Sequence, residues 1–230
     1  MNDDAWALEN FTGVTRLFPL PNLVMFPHVV QPLHIFEPRY RQMTADALAD
    51  DRLLTLCLLR PEIMEPSDLQ PPIFPVGCLC RIVAEKCLPD GRYLLLVRGL
   101  SRVRIMQELG TDRPYRVARA VPLPDEIIMP VGESRRLRQR LADLILPRFV
   151  VPSGGQASLR EMFEGEMPLG PLCDCLAYQL PLEIATKQSL LAEPDVAVRA
   201  TALIDTLRSM KPLVHAAPAP RKFPPDFSLN

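Results

Sequence analysis

Lysine is scarce in this chain: four occur, Lys86, Lys187, Lys211 and Lys222, so arginine carries nearly all the basic charge. The formal net charge is -1, which removes any global electrostatic reason to expect nucleic acid or an anionic membrane as partner. Long hydrophobic runs are missing too, and no apolar stretch approaches the length of a membrane span. The first ten residues carry Asp3, Asp4 and Glu9 without the basic start and apolar core of a secretory signal. A cytoplasmic chain is therefore expected, with its six cysteines reduced. No G-x-x-x-x-G-K-[ST] pattern occurs, which excludes a P-loop of that form. Ser101, Ser134, Ser153 and Ser158 lack a nucleophile-elbow context.

Metal and thiol chemistry are equally poorly supplied. Cys78-x-Cys80 and Cys173-x-Cys175 are the pairs that a zinc site would use, but zinc pairs have two or more intervening residues. One pair falls on a strand pattern and the other on a helical one, where i and i+2 do not face together. They read as small buried hydrophobes. His28 and His34 are the only histidines outside the tail, and neither has the further partners that a metal or a cysteine–histidine dyad requires. No catalytic residue, metal or cofactor is expected.

What the chain does hold is apolar residues at 48%, charged residues at 23%, and 26 prolines, about twice the usual ~5% share. A real core and many fixed turns follow. Five of the prolines (Pro19, Pro21, Pro27, Pro32, Pro38) punctuate the apolar stretch Leu17 to Tyr40, which is too hydrophobic for a linker.

The first two-thirds read as strands. Thr15 to Leu20 and Leu53 to Leu59 have strand length, the second apolar on both faces as in a central strand. Between them Pro38 suits a first helical position, and Tyr40, Met43, Ala47 and Leu48 follow at helical spacing. From Pro75 the pattern alternates, turns at Leu88 to Gly91, and runs back from Tyr93, with Gly99 read as a break. Tyr115 to Val121 supplies a further strand, and short strands without intervening helices predict an antiparallel barrel or sandwich.

Pro122, Pro124 and Pro130 mark a boundary. Beyond it Leu137, Leu141, Leu144 and Ile145 form one stripe, ended by Pro147 after a loop-free run. A loop is expected at Pro152 to Gly155. Helical periods follow over Leu169 to Leu180, Leu182 to Ala192 and Pro194 to Met210. The reading is α+β: an N-terminal extension over residues 1–12, a β-rich unit over 13–124, a helical bundle over 125–210, and a disordered proline-rich tail over 211–230.

Three anchors resemble one family. The opening segment, the hairpin PVGCLCRIVAEKCLPDGRYLLLVRGLSRVRI (Pro75 to Ile105) and the run KQSLLAEPDVAVRATALIDTL (Lys187 to Leu207) are similar to the N-terminal substrate-binding domain of Lon proteases. That resemblance implies a PUA-like antiparallel β pseudo-barrel with one helix, followed by a C-terminal α-helical bundle. It also implies a recognition module without the ATPase and serine–lysine protease that follow it in full-length Lon. The expected partner is unfolded or extended polypeptide, with a separate Lon-like protease as a second partner.

Phe26, His28, Phe36 and Tyr40 are the residues expected to line an apolar groove for such a chain. Two alternatives stand beside this. The arginines between Arg81 and Arg119 outnumber the acids there, and on one sheet face Arg102 and Arg104 would form a phosphate-tracking RNA patch. Aromatic stacking residues are sparse in that stretch, with Tyr93 and Tyr115 alone. The other alternative is a small molecule in the same groove.

Overall fold

Six consecutive residues, Leu53–Leu58 (β3), are buried, as an apolar run without alternation demands. In the computed structural model, which describes residues 3–60, 71–147 and 155–210, β3 lies between β1 (Val14–Leu20) and β4 (Val76–Cys87). The other strands are β2 (Val30–Ile35), β5 (Tyr93–Leu109) and β6 (Val117–Pro122). Their order is β2-β5-β4-β3-β1-β6, and β5 also pairs with β6. At 17 residues β5 is long enough to pair with β2 and β4 along its first part and with β6 from Val103 to Leu109. The sheet thus closes into a ring of β5, β4, β3, β1 and β6, with β2 added at its edge.

The ring is not wholly antiparallel. β1 and β3 run parallel, Leu17 opposite Thr55 and Leu20 opposite Leu58. Between them the chain returns through β2 and α2 (Pro38–Leu48), a crossover that brings β3 back in the direction of β1. α2 starts at Pro38 and buries Tyr40, Met43, Thr44 and Ala47, the face that the helical spacing predicts.

Gly99 does not end a strand. β5 runs through it, with an irregularity in register against β4 between Leu79 and Cys80. Glycine is needed there because the loop before β2 crosses β5: a Cβ at Gly99 would sit 2.1 Å from the Phe26 carbonyl oxygen. His28 donates its backbone N–H to the Gly99 carbonyl at 2.9 Å, and Gly99 donates to Val29 at 2.9 Å.

Inside the ring small and medium side chains mix, with Ile73 and Ile105 at the margin. Leu17, Cys57 and Ala118 pack together, and the Thr15 and Thr55 hydroxyls hydrogen-bond at 2.9 Å. α1 (Asp3–Glu9) packs Ala7, with Leu8 and Phe11, against Leu53, Leu79, Leu100, Val103 and Ala120. The residues read as an extension are therefore part of the fold. Asp4 pins the helix by ion pairs to Arg98 at 3.0 Å and Arg81 at 3.4 Å.

The helical part comprises α3 (Glu133–Ile145), α4 (Gly155–Glu164), α5 (Leu169–Gln179), α6 (Ile184–Ala192) and α7 (Val196–Ser209). α3 ends before Pro147, and its buried side is Leu137, Leu141, Ala142 and Ile145. α4 has no counterpart in the sequence reading. α7 begins after Pro194, with the Asp195 side chain accepting from the N–H groups of Ala197 and Val198 at 2.7 and 3.1 Å. The loop expected at Pro152 and the proline-rich tail lie outside the described residues, the loop except for Gly155, where α4 begins. One hydrophobic cluster runs from β3, β4 and α2 into α3, α5, α6 and α7, so barrel and bundle share a core.

A buried ion cluster stitches that seam. Arg102 of β5 contacts Asp125 at 3.0 Å and pairs bidentately with Asp174 of α5, and its Nε donates to the Leu191 carbonyl at 2.9 Å. Arg199 of α7 contacts Asp125 at 2.7 Å and lies within ion-pair distance of Asp174 at 3.3 Å. Arg102, Asp174 and Arg199 are buried. Asp174→Ala leaves two buried guanidinium groups sharing one carboxylate, and is expected to cost about 3–5 kcal/mol in urea unfolding. Gly99→Ala is expected to be destabilising by at least ~1 kcal/mol, because the contact it creates is with backbone.

Candidate functional site

The four groove residues read from the sequence do not come together. Phe26 is fully buried in the shared core. His28 is exposed, but its part in the fold is a backbone one: it holds a left-handed φ of 66° where the loop turns onto β5. Phe36 is exposed just past the end of β2, at the opposite end of the strand from the His28 turn. Tyr40 alone lines a concavity.

That concavity is a cleft of about 470 Å³, within the range of ligand sites. One wall is the end of β1 with Pro19, Leu20 and Pro21, and beside it stand Leu59 and Pro71. A second wall is the start of α2 with Glu37, Arg39 and Tyr40. The third is the turn from β5 to β6, Glu108 to Arg116. The proline-laced opening segment thus contributes its first and last parts to the site and buries Val24 to Pro27 between them.

Two tyrosines form the base. The Tyr40 ring packs on Phe18 with centroids 4.6 Å apart, and the Arg39 guanidinium lies 4.5 Å from the ring centroid. Burial raises the Tyr40 phenol above its ordinary 10.0, with nearby Arg39 pulling the other way. Tyr115 donates its hydroxyl to Asp46 of α2 and accepts from Arg113 at 2.8 Å. Burial and the Asp46 carboxylate raise Tyr115, while the same hydrogen bond lowers Asp46.

Four of the five charged residues lining the cleft pair with one another, the fifth being Arg113. Arg39 pairs with Glu37 at 2.8 Å, and Arg116 pairs bidentately with Glu108. Burial pulls the Arg116 guanidinium down, but the Glu108 carboxylate more than offsets it. Arg116 also donates to the Pro71 carbonyl at 2.8 Å. The cleft therefore offers apolar surface and ring edges inside a rim of two ion pairs and Arg113.

The arginine face reads differently in three dimensions. Arg102 is buried in the ion cluster, not on a solvent face, because α5 and α6 cover the sheet at that point. Arg104 is exposed. Arg81 and Arg98 pair with Asp4, Arg92 with Asp90 at 2.6 Å, and Arg116 with Glu108, so most of the excess is neutralised locally.

The cysteine pairs stay apart in role. Cys78 and Cys80 lie on β4 and Cys173 on α5, all buried, and burial pushes the Cys57 and Cys173 thiols up to about 12. Among the described residues no group of three or more histidine, cysteine or acidic side chains could hold a metal ion. No helix there is long and apolar enough to cross a membrane.

What the sequence reading missed is the β5–β6 turn as a cleft wall and Asp125 and Asp174 as partners of Arg102. Asp174 gave a signal: it is the lone acid in an otherwise uncharged helix. An isolated carboxylate in that setting points to a buried cation.

Residues 14–209 match the ATP-dependent protease La (LON) substrate-binding domain, and the chain belongs to that family. It is 26% identical over 191 residues to a Lon protease of Dictyoglomus thermophilum, covering 83% of this chain and 24% of that protein. The figures for Lon protease 2 of Myxococcus xanthus are 26% over 207 residues, 90% and 25%. The chain thus spans about a quarter of the length of these relatives. Two solved structures share the fold. The N-terminal domain of Mycobacterium avium complex Lon protease has a TM-score of 0.65 at 18% identity, covering 86% of this chain and 100% of that one. A Lon N-terminal domain protein from Xanthomonas campestris gives 0.59 at 23% identity, with 86% and 99% covered.

The Tyr115–Asp46 bond ties the β5–β6 turn to α2 and carries a pH signature. Asp46 sits below its ordinary 3.8 when folded, so its contribution is present above 3.8 and lost as pH falls through the lowered value. Tyr115 sits above 10.0 when folded, so its contribution is present below 10.0 and lost as pH rises through the raised value. Tyr115→Phe is expected to cost about 1 kcal/mol near neutral pH. The gap to the parent should close at both extremes when urea midpoints are compared across pH.

Proposed function

We propose that this chain recognises polypeptide without cutting it, taking extended or unfolded segments into the cleft beside Tyr40 and presenting them to a separate ATP-dependent protease. The observation that carries the reading is the cleft itself. Both ends of the opening segment contribute to it, and it lies in a chain of the Lon substrate-binding family. Leu20, Pro21, Leu59, Leu109 and Pro114 offer apolar contact, and the matched rim pairs leave Arg113 as a single positive charge in the lining. Such a site suits many sequences, each held chiefly by buried apolar area.

No nucleophile, metal cluster or nucleotide motif accompanies the cleft among the described residues, and a binding role asks for none. The RNA reading loses Arg102 to the seam and has no observation of its own in favour.

A labelled, reduced and alkylated protein that cannot refold is the probe. Its fluorescence anisotropy should rise with the chain and hold at moderate salt, since apolar contact is not screened. Gly110 lines the cleft, and a Cβ there meets nothing within 4 Å, so Gly110→Trp adds bulk at the cleft wall from a position with room for a side chain. That variant should bind at least about tenfold more weakly, a loss of ~1.4 kcal/mol, with an unchanged melting temperature. Absence of binding by the parent, or equal binding by the variant, overturns the reading.

A further inference from the structure

Between β6 and α3 the chain crosses from barrel to bundle through residues 123–132, and this crossing is unusually apolar on its outside. Ile127, Ile128 and Val131 are 71%, 73% and 106% exposed, three large aliphatic side chains within five residues. Scattered exposed aliphatics are ordinary, but a contiguous run of this kind marks a contact surface. The run leads directly into α3, whose outer side presents Arg135, Arg136 and Arg140 to solvent.

The charge around these arginines is not cancelled. Arg135 and Arg140 make no ion pair among the described residues. Arg136 has only a 3.5 Å contact to Glu133, and Asp143 is occupied by Gln139 at 2.8 Å. Arg138, between them in sequence, turns inward to the carbonyls of Met162 and Phe163 at the end of α4. At the opposite end of the apolar run stands an exposed carboxylate, Glu126. The surface is therefore polar along its length: acid, then aliphatic, then basic.

We propose that this surface docks an acidic partner segment in which an aliphatic anchor sits over Ile128 and Val131 and carboxylates follow along α3. Charge complementarity selects the occupant, and Glu126 sets its direction by repelling a carboxylate at the aliphatic end. The spacing follows from geometry. Along α3 Arg136 and Arg140 lie one turn apart on one face, about 6 Å along the axis, with Val131 just before the helix. In an extended partner that distance corresponds to carboxylates about two residues apart, following the anchor. The surface is separate from the cleft in barrel and turn, so the partner recognised here is distinct from the segment held there.

The test uses the full chain and a fluorescein-labelled peptide with two leucines followed by glutamates at about that spacing. A control peptide carries lysines in place of the glutamates. The acidic peptide should bind with an affinity that falls as salt rises, and the lysine peptide should not bind. Replacing all three arginines (Arg135→Glu, Arg136→Glu, Arg140→Glu) should weaken binding at least about tenfold and flatten the salt dependence. Ile128→Ser with Val131→Ser should weaken it while leaving the salt dependence in place. Gly110→Trp should leave it unchanged, which separates failure of this surface from failure of the cleft. Equal binding of both peptides, indifference to the arginine changes, or preferential binding to vesicles of anionic phospholipid overturns the proposal. So does self-association of the chain through the same residues.

Discussion

The structure depends on a cluster of four charges, three of which have no solvent to answer to. Arg102, Asp125, Asp174 and Arg199 come from a barrel strand, the crossing segment and two bundle helices, and they close on one another with a net charge of zero. Burying such a set gains little stability over a well-packed apolar seam, since desolvation offsets most of the attraction. What it does is make every other seating of bundle on barrel costly, because any shift strands a charge. The surroundings conform to it: a Cβ at Gly170 would stand 2.1 Å from the Asp125 carboxylate, and the Glu126 backbone exchanges hydrogen bonds with Pro194 and Val196 at 2.9 and 3.0 Å.

With the bundle seated, the remaining sheet faces are committed. The outer face of β3 and β4 is covered, the inside of the ring is filled by small and medium side chains, and α1 packs against its second cluster. A concavity is left open where β1 ends, α2 begins and β5 turns into β6. Three chain segments distant in sequence thus meet because the crossover through β2 and α2 makes β1 and β3 parallel neighbours. The Lon substrate-binding fold supplies the frame, and this chain lines its cleft with apolar side chains, two rim ion pairs and Arg113.

Much of this was legible in the residues. The apolar run of β3, proline at the start of α2, the β4–β5 hairpin and the stripe of α3 follow from periodicity, because burial on a regular element leaves a regular trace. The parallel pairing was not legible, since it depends on where the chain returns and not on any local pattern. α1 was too short to show a period, and Gly99 looked like a break because its reason lies in a backbone crossing from another segment. For the site, Tyr40 was within reach of sequence reasoning. Phe26 was not separable from it: an aromatic among prolines looks the same whether it faces a groove or the core. Arg102 was misplaced because alternation assigns a face but cannot say that a helix bundle covers that face.

The account turns on where polypeptide meets this chain, and amide hydrogen exchange with and without a saturating unfolded protein addresses that directly. Slowed exchange is predicted across the cleft walls, in the amides of Leu20, Arg39, Tyr40 and the non-proline residues of 108–116, with the ring interior unchanged. Protection confined to other surfaces, or none at saturation, would contradict it.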